Sequence, residues 1–356
     1  MRITSAEVVL VHQPAVSPAF RWRDGVPGSD PDQIEGWLVI STDAGIVGYG
    51  HTRRGVILAD LVDRRLREDL IGRNALHREA LFHRFWELDR IEEFPIYVPK
   101  ALDVALWDIA GKAAGMPVHE LLGTYRESIP AYASTSTFDT TEEYFDVIDQ
   151  CLDAGYSAIK LHVWGRPRDD AALAQAVRAH VGDDVPLLFD GSAAYDLLDA
   201  VYIGRALSEA GYMYYEEPMR EFSISAYQRL ADRVDVPLLV AETSDGAHWN
   251  TADFILHGGA TAVRTSTDLR GGFSGAMRIA HLADAFHMRA EVHGGGLPNA
   301  HLCMAISNTS YYESLVTSNP IVREDCVDKN GNVAAPTGPG VGWEQEWERH
   351  DRPKGI

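Results

Sequence analysis

Three acidic residues recur at one fixed interval along the chain, and each closes a short apolar run typical of a β-strand. They are Asp190, Glu216 and Glu242, and the interval is 26 residues both times. A strand, a loop and a crossover helix use about that much chain. The spacing therefore predicts that the three acids lie at the same height on three consecutive parallel strands. Converging carboxylates repel one another unless a cation or a proton neutralises them. Because all the ligands are oxygens, the pattern favours Mg²⁺ over zinc; individually, each acid fits a helix cap or salt bridge equally well.

Beyond residue 123 the chain alternates eight short apolar runs with amphipathic segments. The segment 141–154, with Thr140 or Thr141 as its cap, has helical spacing, whereas the runs have the length and composition of buried strands. Eight strands that alternate with helices predict an α/β fold of the (β/α)-barrel, or TIM-like, type. A chain of 356 residues with 46% hydrophobic residues has room for a barrel and one further domain.

The N-terminal third has a different pattern. Residues 1–50 alternate like three antiparallel strands, and residues 58–122 have helical spacing. The connection 14–32 holds four prolines and two glycines and is long for a compact turn, which makes it a candidate lid. We expect an α+β capping domain over 1–125, a modified barrel with the functional residues over 126–318, and a C-terminal segment over 319–356 that returns to the capping domain.

Composition excludes several classes of protein. A formal charge of −20 argues against nucleic-acid binding, because phosphates require clustered Lys and Arg. The sequence has no long apolar run, and its N-terminus resembles a strand rather than a signal peptide, so we expect no membrane contact. Three scattered cysteines without disulfide or metal spacing fit a reducing compartment, and we expect a cytoplasmic protein.

Lys160 and His162 lie two residues apart in the second of the eight runs, so their side chains point to the same side of the sheet. If that side is the barrel interior, a cation and an imidazole face the metal from one flank. A lysine near a divalent ion has its ammonium form disfavoured and can act as a base near neutral pH. The alternative for Lys160 is a solvated place at a sheet edge.

His293 and Glu313 are the candidates on the other flank. His293 ends the seventh run and precedes three glycines, which let a backbone or substrate approach closely. We interpret it as a second proton-transfer group rather than a structural histidine. Glu313, at the end of the last run, could donate a hydrogen bond to a substrate carboxylate if protonated, or merely cap a helix.

These residues occur together with longer motifs that resemble a known family. Three segments are similar to motifs of the mandelate racemase and muconate lactonizing branch of the enolase superfamily. They are residues 98–123, with the sequence Ala-Leu-Trp-Asp-Ile-Ala-Gly-Lys inside them, then Tyr215-Glu-Glu-Pro218, and finally Pro339-Gly-Val-Gly342. The resemblance spans essentially the whole chain. It implies an α+β capping domain on a modified barrel, with Mg²⁺ held by Asp190, Glu216 and Glu242. For the mandelate racemase subgroup it implies catalytic roles for His293 and Glu313.

Two positions depart from that subgroup. Its second strand often carries Lys-x-Lys with the second lysine as base, whereas this chain has Lys160-Leu-His162, which leaves the base open between the two. Its strand-seven histidine usually contacts an aspartate that lies five residues before a Gly-Gly pair, and here that position is Ser266. Asp268 and Arg264 share its strand parity, so either is a candidate partner for His293.

The chemical problem for such a site is to remove the proton beside a carboxylate. If the carbon acid and the base differ by ~15 pKa units, this step costs roughly 20 kcal/mol. Mg²⁺ on the substrate carboxylate, with Lys160 and a protonated Glu313, would stabilise the enediolate. Loss of a β-hydroxyl, with His293 or His162 as general acid, then gives a 2-keto-3-deoxy acid, whereas reprotonation gives racemisation or epimerisation.

We therefore expect a hydro-lyase that dehydrates a sugar acid. An epimerase or cycloisomerase on the same scaffold is the alternative, and a catalytically inactive sugar-acid binding protein is a third possibility, suggested by Ser266. The family resemblance suggests a homo-oligomer. The candidates for contact with substrate are polar or lie in loops that could hold positive charge: Arg21, Trp22, His51, Arg53, Thr135, Ser192, Arg264 and Asn299.

Overall fold

The computed structural model describes residues 1–29, 33–94, 98 and 100–349. Part of the predicted lid, residues 30–32, lies outside the described residues. The first five strands are β1 (Ile3–Gln13), β2 (Arg21–Arg23), β3 (Val26–Pro27), β4 (Gln33–Thr42) and β5 (Val47–Thr52). Strands β1, β4 and β5 form the predicted three-stranded antiparallel sheet in that order, and β2 pairs with β3 as a small hairpin inside the predicted lid.

Helices cover the sheet where the sequence predicts them. They are α1 (Gly55–Leu61), a π-helical turn (Val62–Leu66), α2 (Arg67–Leu70), α3 (Arg78–Glu92), α4 (Lys100–Ala114) and α5 (Val118–Leu122). Helix α4 lies directly on β5, because Gly50 has no side chain there: a Cβ at Gly50 would lie 1.8 Å from the carbonyl oxygen of Ala101. The residues around this contact form one apolar core with the sheet.

Eight parallel strands follow, in the order β12-β11-β10-β9-β8-β7-β6-β13. Their bounds are β6 (Ser128–Thr135), β7 (Ile159–His162), β8 (Leu187–Asp190), β9 (Tyr214–Glu216), β10 (Leu238–Val240), β11 (Ala262–Thr265), β12 (Arg289–Val292) and β13 (Tyr312–Val316). This confirms the predicted barrel-type α/β sheet. At the seam between the two terminal strands, the Gly294 N–H donates to Glu313 Oε2 at 2.8 Å.

The helices between these strands are α6 (Thr141–Asp153), α7 (Pro167–Val181), α8 (Leu197–Glu209), α9 (Ile224–Ala231), α10 (Ala247–His257), α11 (Gly272–Ala285) and α12 (Leu297–Ala305). Thr140 caps α6 through a reciprocal pair of hydrogen bonds with Glu143, which confirms the predicted cap. The amphipathic pattern does not predict α12, because this helix is buried along almost its whole length and has no polar face.

The C-terminal segment contacts both parts of the fold. Strand β14 (Asn332–Ala334) pairs with β6, and α13 (Glu344–Arg349) follows. The Val341 N–H donates to Asp108 of α4 at 2.8 Å, and Trp343 packs edge-on against Trp37 of β4. These contacts agree with the expected return of the chain; domain limits at 125 and 318 stay a prediction. Among the described residues, no helix has the length and apolar character needed to cross a membrane.

Candidate active site

The three spaced acids lie together and are buried, but not at one height. Asp190 and Glu216 are the last residues of β8 and β9 and face each other in the ladder. Glu216 is paired with Leu239 of β10, three residues before Glu242. Strand β10 ends at Val240, so Glu242 belongs to the following loop. The equal spacing therefore predicts the cluster correctly but is wrong about a common height, because β10 is shifted along β9.

Lys160 lies in the middle of the acids, with a fully buried side chain. Its Nζ atom is 2.9 Å from Glu216 Oε2, 2.8 Å from Glu313 Oε1 and 3.3 Å from Asp190 Oδ2. Burial disfavours the ammonium, but Glu216 and Glu313 outweigh it and raise the pKa of Lys160 well above its usual value. The solvated position is thus wrong, and these carboxylates favour a charged lysine rather than the expected neutral base.

Arg264 is a second buried cation, and its partners are protein groups. Its guanidinium binds both oxygens of Glu216, with Nη2 2.6 Å from Glu216 Oε2. It also donates to the carbonyl of Val292 at 3.1 Å and to the Tyr132 hydroxyl at 3.1 Å. Only 1% of its side chain is exposed and its donors bind protein groups, so the expected contact with substrate stays a prediction. A rigid guanidinium can hold a carboxylate in one orientation, which makes Arg264 a clamp on Glu216.

The buried charges of the cluster do not balance. Asp190, Glu216, Glu242 and Glu313 supply four carboxylates, whereas Lys160 and Arg264 are its two permanent cations. Burial, reinforced by the charges of Asp190 and Glu242, raises the pKa of Glu216 to about 7 despite the two cations. These four acids outnumber the two cations, and Glu217 and Glu221 are two further buried acids that interact with Glu242. A divalent cation would reduce the repulsion among these groups.

Two atoms in the cluster lack hydrogen bonds within the described part of the chain. Glu242 Oε2 and His293 Nδ1 are both buried and lie 3.2 Å apart, but in a geometry that makes no hydrogen bond. One atom each from Glu216, Glu242 and His293 lies within 4.8 Å of the others. A buried carboxylate oxygen without a hydrogen bond, in a site rich in oxygen donors, fits a hard divalent cation.

His162 occupies the same flank as Lys160, as their spacing predicts. Its Nε2 atom lies 3.2 Å from Asp190 Oδ2. Its Nδ1 atom lies 2.7 Å from the carbonyl oxygen of Thr135, which can only accept, so Nδ1 carries the hydrogen. The nitrogen that can exchange a proton at the site is therefore Nε2.

His293 approaches from the end of β12 and faces two carboxylates. Its Nδ1 atom is 3.2 Å from Glu242 Oε2 and 3.4 Å from Glu313 Oε2. Burial opposes a charged imidazole, but Glu242 and Glu313 outweigh it and raise the pKa of His293. Glu313 is the second residue of β13, so its predicted place at the end of that strand is wrong. Burial favours its neutral form, yet Lys160, Arg264 and His293 together lower the pKa of Glu313 well below its usual value, which favours the carboxylate over the expected protonated acid.

Arg264 and Asp268 are the candidate partners for His293, and neither binds its imidazole in the described structure. Arg264 reaches the carbonyl of Val292, next to His293 in the chain. Asp268 instead forms an ion pair with Lys100 and accepts a hydrogen bond from Asn299 at 3.2 Å. Ser266, at the position of the subgroup aspartate, is buried and its hydroxyl accepts from the Asp268 N–H.

The predicted lid sits on the loops that follow three barrel strands. Thr137 after β6 donates to the carbonyl of Trp22 at 2.8 Å, and Arg23 donates to the carbonyl of Ser192 after β8 at 2.9 Å. The ring of Trp22 lies against that of His162, with centroids 4.6 Å apart. This hairpin therefore covers one of the candidate proton-transfer groups, and its role as a lid stays a prediction.

Most of the polar side chains expected to contact substrate have other partners. Arg21 pairs with Asp24 and Asp139, and His51 pairs with Glu35. Ser192 donates its N–H to Asp190 at 2.7 Å and therefore orients that carboxylate. Thr135 and Asn299 are fully buried and hydrogen-bonded within the protein, and contact with substrate stays a prediction for both. Arg53 is exposed and stays a prediction.

The sequence pattern misses Arg270 and Lys100 and assigns Asn299 to the substrate, although all three residues hold the site together. Arg270 is buried and its guanidinium binds the carbonyls of Ser244 and Ala247, which fixes the loop after Glu242. Lys100, at the start of α4, pairs with Asp268, and Asn299 joins two loops of the barrel. An arginine just before Gly-Gly and a lysine in a helical stretch look like surface residues in the sequence, so only the burial reveals them.

Comparison with known proteins agrees with this geometry. A family model described as "Enolase C-terminal domain-like" matches residues 144–349. One described as "Mandelate racemase / muconate lactonizing enzyme, N-terminal domain" matches residues 33–123. The solved structure of D-glucarate dehydratase from Agrobacterium tumefaciens complexed with magnesium superimposes with a TM-score of 0.86 at 30% identity, over 96% of each chain.

Curated relatives differ in the reaction that their names give. Arabinonate dehydratase of Saccharolobus solfataricus is 27% identical over 255 residues, which are 68% of each chain. The N-succinylamino acid racemase of an Amycolatopsis species is 30% identical over 256 residues, 68% of this chain and 67% of the relative. The two family matches together span both parts of the fold. The chain therefore belongs to the mandelate racemase and muconate lactonizing enzyme family of the enolase superfamily.

Proposed function

We propose that this protein is a Mg²⁺-dependent acid-sugar dehydratase, which removes the proton beside a carboxylate and then eliminates water to give a 2-keto-3-deoxy acid. The observation that carries the proposal is the arrangement of the buried cluster. Candidate proton-transfer groups lie on two flanks, with Lys160 and His162 against Asp190 and with His293 against Glu242. Four carboxylates with only two permanent cations lie between them.

Asp190, Glu216 and Glu242 would hold the Mg²⁺ ion. When bound, the ion supplies Lewis-acid stabilisation of the charge that develops on the substrate carboxylate. Arg264 holds Glu216 in place, the Ser192 N–H orients Asp190, and Arg270 fixes the loop that carries Glu242. The magnesium in the structure of the D-glucarate dehydratase relative supports this assignment.

The chain's own residues fit distinct roles in proton transfer. Lys160 is held in its charged form by Glu216 and Glu313, so it fits the electrophile that stabilises the enediolate better than it fits the base. His162 is then the base for the proton at C2, through Nε2. The raised pKa of His293 favours its imidazolium form, which can protonate a departing β-hydroxyl. Glu313 keeps His293 and Lys160 charged.

A screen with a matched control tests the proposal. The protein with Mg²⁺ is incubated with a panel of aldonic and aldaric acids, and 2-keto acid is detected with semicarbazide. Glu242→Gln should abolish the activity. Glu291→Gln, which alters a buried glutamate of β12 bound to Tyr214 and Ser310, should retain it. Absence of 2-keto acid across the panel, with correctly folded protein, would contradict the proposal.

An epimerase, racemase or cycloisomerase is the second candidate, and the racemase relative supports it. A site with proton-transfer groups on two flanks can also protonate the intermediate from the opposite side. Incorporation of solvent deuterium at C2 without formation of 2-keto acid would favour a racemase or epimerase. A lactone product without net loss of water would favour a cycloisomerase.

An inactive sugar-acid binding protein is the third candidate, because Ser266 stands where an aspartate would support His293. Mg²⁺-dependent binding of a sugar acid without exchange of its C2 proton would support it. A loss of turnover in His293→Asn would exclude it. A homo-oligomer and a cytoplasmic location remain predictions, and size-exclusion chromatography with light scattering would measure the first.

A further inference from the structure

The carboxamide of Asn299 in α12 joins the loop after β11 to the loop after β12. Its oxygen accepts hydrogen bonds from the backbone N–H and the hydroxyl of Thr267, at 3.0 and 2.8 Å. Its nitrogen lies 2.9 Å from the carbonyl oxygen of His293 and 3.2 Å from those of Gly294 and Gly295. Asn299 has no exposed surface, so water cannot replace these bonds.

The chemistry of the neighbours fixes which end of this amide is which. A backbone N–H can only donate and a backbone carbonyl can only accept, so the oxygen must face Thr267 and the nitrogen must face residues 293–295. A carboxylate of the same size would place an oxygen against three carbonyl oxygens. An apolar side chain would leave the Thr267 N–H buried without a partner. The position therefore requires a group that is a donor at one end and an acceptor at the other.

The same amide is linked to the N-terminal part of the fold. Asn299 Nδ2 lies 3.2 Å from Asp268 Oδ2, and the other oxygen of Asp268 pairs with Lys100 at the start of α4. A continuous chain of contacts thus runs from Lys100 through Asp268 and Asn299 to the backbone of His293. Ser266 is next to this chain of contacts, since its hydroxyl accepts from the Asp268 N–H at 3.0 Å.

We propose that Asn299 is the positioning residue of His293 and that Asp268 and Lys100 hold Asn299 in place. The imidazole gains its direction from the backbone of 293–295 and from Glu242 and Glu313, instead of from a carboxylate on β11. The expected effect on catalysis rests on the proposed function, whereas the expected effect on the backbone of residues 293–296 does not.

The test compares two asparagines whose side-chain amides donate to backbone carbonyls at opposite ends of β12. Asn308 also donates from Nδ2 to two backbone carbonyls, those of Ala280 and Met288, at 3.0 and 3.1 Å, and Met288 precedes β12 whereas His293 follows it. Asn308 is half-buried and has fewer hydrogen bonds than Asn299, so Asn308→Asp controls for the loss of amide-to-carbonyl hydrogen bonds at a site away from His293.

Hydrogen–deuterium exchange provides a readout that needs no substrate. We expect amide exchange in residues 293–296 to become roughly tenfold faster or more in Asn299→Asp, and to stay unchanged in Asn308→Asp. Unchanged exchange in Asn299→Asp would overturn the proposal. Asp268→Ala, which removes a side chain that is 42% exposed, applies the same test if Asn299→Asp does not fold.

Kinetics on the sugar acid identified in the screen then separates positioning from general stability. We expect Asn299→Asp to lower kcat by roughly 100-fold, with KM changed much less, because a small misplacement of a proton-transfer group affects the chemical step. The same change should have no further effect in a His293→Asn background. An equal loss in both backgrounds would overturn the proposal. If wild-type protein turns over no acid while exchange at 293–296 responds as expected, the proposed function fails and the positioning of the loop stands.

Discussion

Lys160 Nζ lies 2.8 Å from Glu313 Oε1, and this ion pair crosses the inside of the barrel between strands that are not neighbours. Strand β6 lies between β7 and β13 in the sheet order. Lys160 also contacts Asp190 and Glu216, so one ammonium links carboxylates from three strands. The contact favours the ionised form of Glu313 and the charged form of Lys160.

Replacement of the buried ammonium should cost both stability and activity. Lys160→Met keeps the length of the side chain but leaves its carboxylate partners uncompensated, so we expect the free energy of unfolding to fall by about 3–5 kcal/mol. Denaturant unfolding measures the loss. Lys112→Met is the control, because Lys112 pairs with the buried Asp108 far from β7 and should affect stability only. Retained turnover in Lys160→Met would contradict the role given to Lys160.

The lid should control how substrate binds more than how fast it reacts. Trp22→Ala removes the ring that packs on His162, and such aromatic contacts contribute about 0.5–1.5 kcal/mol. We therefore expect KM to rise by roughly two- to tenfold with a smaller effect on kcat. Trp249→Ala, which removes an aromatic contact to Trp86 at the surface, should change neither. An unchanged KM in Trp22→Ala would show that the hairpin does not cover bound substrate.

Mg²⁺ should stabilise the folded protein through the acid cluster. A ligand that binds only the folded state at 100 times its Kd adds about 2.7 kcal/mol to the free energy of unfolding, which a rise in Tm reports. Glu242→Gln should abolish this rise. Glu291→Gln should preserve it, because Glu291 accepts hydrogen bonds from Tyr214 and Ser310 and does not belong to the cluster. Equal stabilisation of both variants would place the ion elsewhere.

Asp103 of α4 should make stability depend on pH. Its carboxylate accepts from the Ser274 N–H in the first turn of α11, yet burial raises its pKa from 3.8 to about 6. The folded state therefore holds this proton to a higher pH than the unfolded chain does. The resulting stability is fully present below about pH 4 and is lost as pH rises through 6, by up to about 3 kcal/mol.

Asp103→Asn removes this titration. The difference in free energy of unfolding between wild type and variant should fall as pH rises from 4 to 7, because the other groups contribute equally to both. Urea unfolding at a series of pH values measures it. A difference that stays constant over that range would contradict the assignment.

The sequence predicts the strands and the acid cluster because both depend on local patterns. A run that ends in an acid, repeated at the interval of a β-α unit, places Asp190 and Glu216 correctly. The height of Glu242 depends on the register between β9 and β10, which spacing along the chain does not contain. The buried position of Arg264 is not predicted for a related reason: a charged side chain is expected outside the core unless its partners are known. From the sequence, Asn299 is predicted to contact the hydroxyls of a sugar. Only the structure shows that its amide is hydrogen-bonded to Thr267 and His293.

Isotope transfer during turnover tests the central claim most directly. A sugar acid labelled with deuterium at C2 is incubated with the protein and Mg²⁺, and a second reaction uses unlabelled acid in D₂O. We expect the label at C2 to be lost with a primary isotope effect, and the 2-keto acid formed in D₂O to carry deuterium at C3. His293→Asn should lower the rate of this elimination by a large factor. A 2-keto product that forms without loss of the C2 label, or Mg²⁺-bound protein that exchanges no C2 hydrogen of any aldonic or aldaric acid, would contradict the account.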